Sequence, residues 1–186
     1  IDLKTIKPQS IEKSAARQSF KELFEELEKV VSLWSWESKD QLSYITSALI
    51  LCVFQEAFHW RPIIYLSGAQ GTGKTLFADL MSKLFGSLID VVDKCTSYAI
   101  QQHFGHDSRV GFFDEFEHYS SEAQQIAILN LIKSACKGGK TVGAKMYGGR
   151  SRSYFVKHMF FLSSISFPSY IRKDQAVKDR MVIFNL

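Results

Sequence analysis

Ile63-Ile64-Tyr65-Leu66-Ser67-Gly68-Ala69-Gln70-Gly71-Thr72-Gly73-Lys74-Thr75 is the stretch on which the reading of this chain turns. Four apolar residues in a row predict a strand, the glycines a turn, and residues 74–85 a helix. Residues 68–75 satisfy G-x-x-x-x-G-K-[ST] at every position. Each part of that pattern has a physical task. Gly68, Gly71 and Gly73, with Ala69, Gln70 and Thr72 between them, let the backbone curl until successive N–H groups face one anion. The helix that follows points its positive end at the same place. Lys74 adds a point charge for β and γ phosphates, and Thr75 a hydroxyl for Mg²⁺. Nucleotide binding is the expectation, with Mg²⁺ at the Thr75 hydroxyl.

Outward from this unit, strands and helices alternate. Residues 88–92, 110–113, 159–162 and 181–184 read as further strands, and residues 96–104 and 121–136 as helices. The last of these starts at serines with Gln124 three residues on. Near-continuous apolar strands separated by helices predict an α/β fold: a parallel five-stranded sheet covered on both faces in a three-layer α/β/α sandwich. Residues 141–157 read as a β-hairpin turning at Gly148-Gly149. On the N-terminal side, residues 10–34 form an amphipathic helix with Phe20, Leu23, Leu27, Val30 and Trp34 on one face. A second helix over 39–59 is apolar almost all round and stops at Trp60-Arg61-Pro62. The division is an N-terminal helical segment, 1–38, and a core, 39–186.

Composition sets outer bounds. With 186 residues and 46% apolar content the chain can bury a core, and 13% aromatics exclude a disordered sequence. The three cysteines, Cys52, Cys95 and Cys136, are scattered, which excludes a disulfide scaffold or Cys-based zinc site and fits a reducing cytoplasm. The longest uncharged run, 41–55, is too short to span a bilayer, so no membrane is expected. The sequence stops inside an apolar run, as a domain excised from something longer would.

A second site element lies 40 residues after Lys74, where the apolar run Val110-Gly111-Phe112-Phe113 ends in Asp114-Glu115. Asp114 at a strand's C-terminal edge can hold Mg²⁺, and Glu115 can polarise an attacking water. Solvated acids at a strand end are common, and the phosphate loop is what favours the functional reading. A third element is His158-Met159-Phe160-Phe161-Leu162-Ser163-Ser164. In a parallel sheet its end falls between the phosphate loop and the acidic strand end, where Ser163, or next Ser164, can orient the water or touch the γ phosphate. A fourth is Arg180, before the last strand, able to reach a neighbouring subunit's nucleotide. Pairing with Asp174 or Asp179 is its structural alternative. His103, His106, His118 and His158 read as structural or exposed.

In that order these elements resemble the core of AAA+ P-loop ATPases of the ASCE type, over residues 40–186. A hairpin just before the Ser-ended strand is similar to that of superfamily 3 and MCM-like helicases. The run GAQGTGKT … FFDEF … FFLSS … DRMVIFNL looks most like helicase modules of phage and mobile-element replication proteins. The resemblance implies that Lys74 and Thr75 bind ATP–Mg²⁺, Asp114 and Glu115 form the acidic pair, Ser163 is the sensor and Arg180 the finger acting in trans. It implies a ring-forming homo-oligomer, a hexamer, and an ATPase that is a DNA helicase or translocase. The family's C-terminal helical lid has no counterpart, so a second sensor is expected outside this stretch.

Charge supports a nucleic-acid partner. A net charge of +4 conceals polarity: residues 123–173 hold no Asp or Glu and nine Lys or Arg. On the hairpin, Lys145, Arg150 and Arg152 can follow a phosphate backbone and Tyr147 can stack on a base of DNA. The alternatives are an AAA+ protein remodeller without nucleic acid, or a P-loop kinase. The first wants an aromatic-hydrophobic-Gly pore loop, for which Phe104-Gly105 is a poor candidate. The kinase is disfavoured by the Glu beside Asp114 and the lack of an Arg-rich lid. A GTPase is disfavoured because Asn-Lys-x-Asp is absent.

Overall fold

The computed structural model describes residues 13–92, 94–105, 108–118, 121–137, 140–142 and 153–186. Five parallel strands, β1 (Ile63–Ser67), β2 (Ile89–Val92), β3 (Val110–Phe113), β6 (Phe160–Ser164) and β7 (Met181–Asn185), form one sheet in the order β2-β3-β6-β1-β7. Helices α1 (Lys13–Val31), α2 (Lys39–Val53), α3 (Lys74–Phe85), α4 (Ser97–Phe104) and α5 (Glu122–Ala135) accompany it, and α6 (Ser169–Lys173) and α7 (Gln175–Lys178) link β6 to β7.

Period-two alternation builds the three layers. Tyr65, Phe113, Phe160 and Leu162 face one way, into a core with Ile100 and Phe104 of α4 and Ile128 and Ile132 of α5. Ile64, Leu66, Phe112 and Phe161 face the other, into a core with Ile45 and Leu49 of α2 and Phe77 and Met81 of α3. Both strand faces are therefore dry, which is why these strands read as continuous apolar runs. Gly111 is required by this packing: a Cβ there would sit 2.6 Å from the Phe160 ring.

Two boundaries depart from the periodicity. The helix expected over 39–59 ends at Val53, and a 3-10 turn follows over Gln55–Ala57. The break buries the Gln55 side chain, which accepts from Met159 N at 2.6 Å and donates to Ser108 O. Satisfying two backbone groups at the start of β3 and β6 outweighs another helical turn. The N-terminal helix ends at Val31, so Trp34 is not on its face. Val31, Trp34 and Trp36 instead pack into the α2/α3 core, while Phe20 and Leu23 are exposed.

Of the expected hairpin, the structure describes the base. Strands β4 (Lys140–Val142) and β5 (Ser153–Phe155) pair antiparallel. Phe155 N donates to Gly105 O at 3.1 Å. Gly105 faces Tyr154, and Phe104 is wholly buried, so Phe104-Gly105 is a packing element. Lys145, Tyr147, Arg150 and Arg152 lie outside the described residues. Among the described residues no helix is long and apolar enough to cross a membrane.

Candidate nucleotide-binding site

The strand order brings the sequence motifs to one edge. β6 lies between β1 and β3, with Leu66 opposite Ser163 and Phe113 opposite Leu162. The phosphate loop leaves β1, and Asp114-Glu115 leave β3, on either side of the end of β6, the arrangement expected of a parallel sheet.

The loop is shaped by left-handed glycines. Gly71 and Gly73 have φ of 85° and 90°, and Gly73 is the N-cap of α3. Gly68 is needed for space: a Cβ would lie 2.7 Å from Thr72 Oγ1 and 2.9 Å from Leu186 O. Lys74 is buried, and its ammonium donates to the carbonyl oxygens of Gly68 at 2.6 Å and Ala69 at 2.9 Å. The charge sits inside the curl, on carbonyls that a phosphate oxygen has to displace. Thr75 Oγ1 donates to Asp114 Oδ2 at 2.8 Å, which ties the loop to the acidic strand end. Hydroxyl and carboxylate oxygens are hard donors suited to Mg²⁺.

Asp114 is held from its other oxygen. Ser163 Oγ donates to Asp114 Oδ1 and accepts from Glu115 N at 3.1 Å. Ser163 is fully buried, and its two hydrogen bonds go to the Asp114 carboxylate and the backbone of Glu115. Ser164 is turned elsewhere, bonded to Tyr65 Oη and donating to Ser166 O. Burial pushes the Tyr65 hydroxyl well above the usual phenol range, so it stays a neutral partner in that bond.

Glu115 carries the one positive φ outside glycine among the described residues, 49°. Such a conformation costs about 1–3 kcal/mol and marks a side chain aimed by its surroundings. His118 Nδ1 lies 3.2 Å from Glu115 Oε2. The sequence reads His118 as structural or exposed, and its i+3 spacing in the 3-10 turn Phe116–His118 is the signal that places it beside Glu115. Glu117 faces back into the fold and accepts from Ile165 N at 2.7 Å, bracing the loop after β6. A cleft of about 460 Å³ is lined by Gln70, Lys74, Thr75, Asp114, Glu115 and His118. A larger one, about 620 Å³, lies between β2 and α4. It has no glycine-rich loop or long-helix start, so size does not identify the site here.

No family model matches the chain, and no curated protein matches it. Among solved structures, 305 chains match. One is the apo structure of the C-terminal region of NrS-1, at a TM-score of 0.52 and 15% identity, covering 86% of this chain and 38% of that one. The likeness is one of fold. This chain spans well under half the length of that neighbour, and a widely shared fold leaves function to be argued from the site.

Arg180 is not at this edge. Its carbonyl accepts from Ile63 N at 2.7 Å and its guanidinium donates to Ala176 O, at the beginning of β1 and β7. Asp174 pairs with Lys133 at 3.2 Å and caps α7, and Asp179 accepts from Gln175. Arg180 stands a strand's length from its own chain's phosphate loop.

Proposed function

We propose that this chain is an ATP-hydrolysing motor core, one subunit of a homo-oligomeric ring, that works on DNA as a replication helicase or translocase. The Thr75–Asp114 hydrogen bond carries the reading, because it joins a phosphate-binding loop to a carboxylate pair at one sheet edge. The fold shared with the NrS-1 region is compatible with it.

On this reading the backbone N–H groups of 68–75 and the start of α3 bind the β and γ phosphates. Lys74 exchanges two carbonyl contacts for phosphate oxygens. Thr75 and Asp114 would hold Mg²⁺, which when bound neutralises charge on the phosphates. Ser163 keeps Asp114 aimed, and Glu115 takes a proton from the attacking water while His118 orients its carboxylate. Arg180 completes the site of the adjacent copy, consistent with its place at the opposite edge. The hairpin based on β4 and β5 supplies the DNA contacts through Lys145, Tyr147, Arg150 and Arg152.

The test is ATP hydrolysis with and without single-stranded DNA. Stimulation by DNA that is lost when Lys145, Arg150 and Arg152 become Ala is the expected result. Hydrolysis indifferent to DNA would favour the remodeller instead, and no hydrolysis with intact ATP binding would remove the motor.

A further inference from the structure

Gly73 O accepts two hydrogen bonds, which takes up both its lone pairs. One comes from Phe77 N at 2.9 Å and opens α3. The other comes from Trp34 Nε1, also at 2.9 Å. Trp34 stands in the turn after α1, with its ring edge-on to Phe77 at 5.5 Å. That turn is fastened in its own right: Val31 O accepts from Trp34 N at 3.2 Å and from Trp36 Nε1 at 2.8 Å. Glycine is required at residue 73 by its φ of 90° and by the closeness of the indole, since a Cβ would lie 2.8 Å from Trp34 Nε1. A glycine free to turn is a poor support for a binding loop, and the indole removes that freedom.

A trans peptide is planar, so its C=O and N–H point in opposite directions. Holding Gly73 O from outside the loop therefore turns Lys74 N–H to the inside. That N–H is one of the first of α3, which have no acceptor within the helix and face an anion at its start. We propose that Trp34 is a positioning residue of the phosphate loop: its indole N–H sets the Gly73–Lys74 peptide so that Lys74 N–H meets the triphosphate. The proposal rests on the nucleotide-binding role above. Trp34 acts through one peptide unit and not on the base, so every ligand with the same phosphates feels it equally. Without the indole N–H the peptide has to be ordered when the ligand binds, and affinity falls by that cost.

The experiment titrates the 186-residue chain and its Trp34→Phe and Trp36→Phe variants with ATP and with inorganic tripolyphosphate in Mg²⁺, by calorimetry. Trp34→Phe keeps an aromatic ring beside Phe77 and removes the N–H. It is expected to weaken both ligands by the same factor, about fivefold, the weight of one hydrogen bond. Trp36→Phe removes an N–H of the same kind from Val31 O and is expected to leave both affinities within about twofold of the parent. A second measurement needs no Trp34 variant. The Trp34 indole N–H resonance, the one retained in both Trp36→Phe and Trp60→Phe, is expected to shift when tripolyphosphate is added. The Trp60 resonance, from a half-exposed ring at the other end of β1, is expected to stay. Affinities unmoved in Trp34→Phe, a loss for ATP alone, equal losses in Trp36→Phe, or a Trp34 resonance indifferent to ligand would each overturn the positioning role. Those failures leave the phosphate loop standing. A parent chain that binds neither ligand would overturn this role together with the function it rests on.

Discussion

The two edges of the sheet use the same kinds of side chain to opposite ends. At the C-terminal edge, Thr75, Asp114 and Ser163 bond to one another, and Glu115 and His118 pair beside an open cleft. At the N-terminal edge, Gln55, Arg61, His158 and Arg180 bond to main-chain atoms. Gln55 joins Met159 and Ser108, Arg61 Nε donates to Gln55 O at 2.7 Å, and His158 Nδ1 meets Arg109 O at 2.9 Å. Apart from Lys74, which rests on loop carbonyls that a phosphate would replace, polar groups spent on backbone hold strands together, whereas polar groups spent on each other beside a cleft are available for exchange with a ligand. Arg180 is the residue for which this contrast is sharpest, because it bonds like its N-terminal neighbours and is proposed to act on another copy.

The largest effect is expected there. Arg180→Ala should lower hydrolysis about a thousandfold, the usual weight of an arginine finger. Mixing it with Glu115→Gln subunits should restore part of the rate, because each supplies what the other lacks. No recovery in the mixture would return Arg180 to a purely structural role. Glu115→Gln alone should cut turnover about a hundredfold while ATP still binds. Equal loss of binding would mean that Glu115 holds the ligand and does not act on water.

Smaller effects separate stability from chemistry. Gln55→Ala strands two backbone groups, so the midpoint of unfolding should fall by the equivalent of about 2–4 kcal/mol. ATP affinity of the folded protein should stay put, and a change in affinity would blur the two edges. His118→Ala should lower kcat about tenfold with KM unmoved, and His118→Asn, which keeps a donor near Nδ1, should recover much of it. An unaltered kcat would make the Glu115 contact incidental. Last, thiol labelling should distinguish the edges at neutral pH. Burial pushes the Cys136 thiol up to about 11 despite Arg180 and Arg61 nearby, and Cys52 is buried too, whereas Cys95 lines the cleft beside β2. Fast modification of Cys136 would show that the N-terminal edge opens.

Much of this was legible because the sheet is parallel. Once residues 63–66, 110–113 and 159–162 are strands of one such sheet, everything that follows them lies at one edge, and Lys74, Asp114 and Ser163 must approach. What escaped depends on side-chain direction. Ser163 could be placed at the edge, but whether it faced the phosphate or Asp114 turned on a single hydroxyl buried under the loop. His118 looked like one of several scattered histidines until a 3-10 turn set it against Glu115. Trp34 fits the α1 stripe by spacing, and only tertiary packing shows the helix stopping three residues short of it.

The position of Trp34 bears on how this protein can be dissected. With Nε1 on Gly73 O across 39 residues of sequence, and with Trp36 edge-on to both Phe77 and Phe184 at 5.9 and 6.0 Å, the packed body around the loop starts before α2. A fragment trimmed to begin at residue 39 would retain the whole glycine-rich motif yet strip away the indole that braces it. Such a minimal piece would present the loop without the support it has in the longer chain.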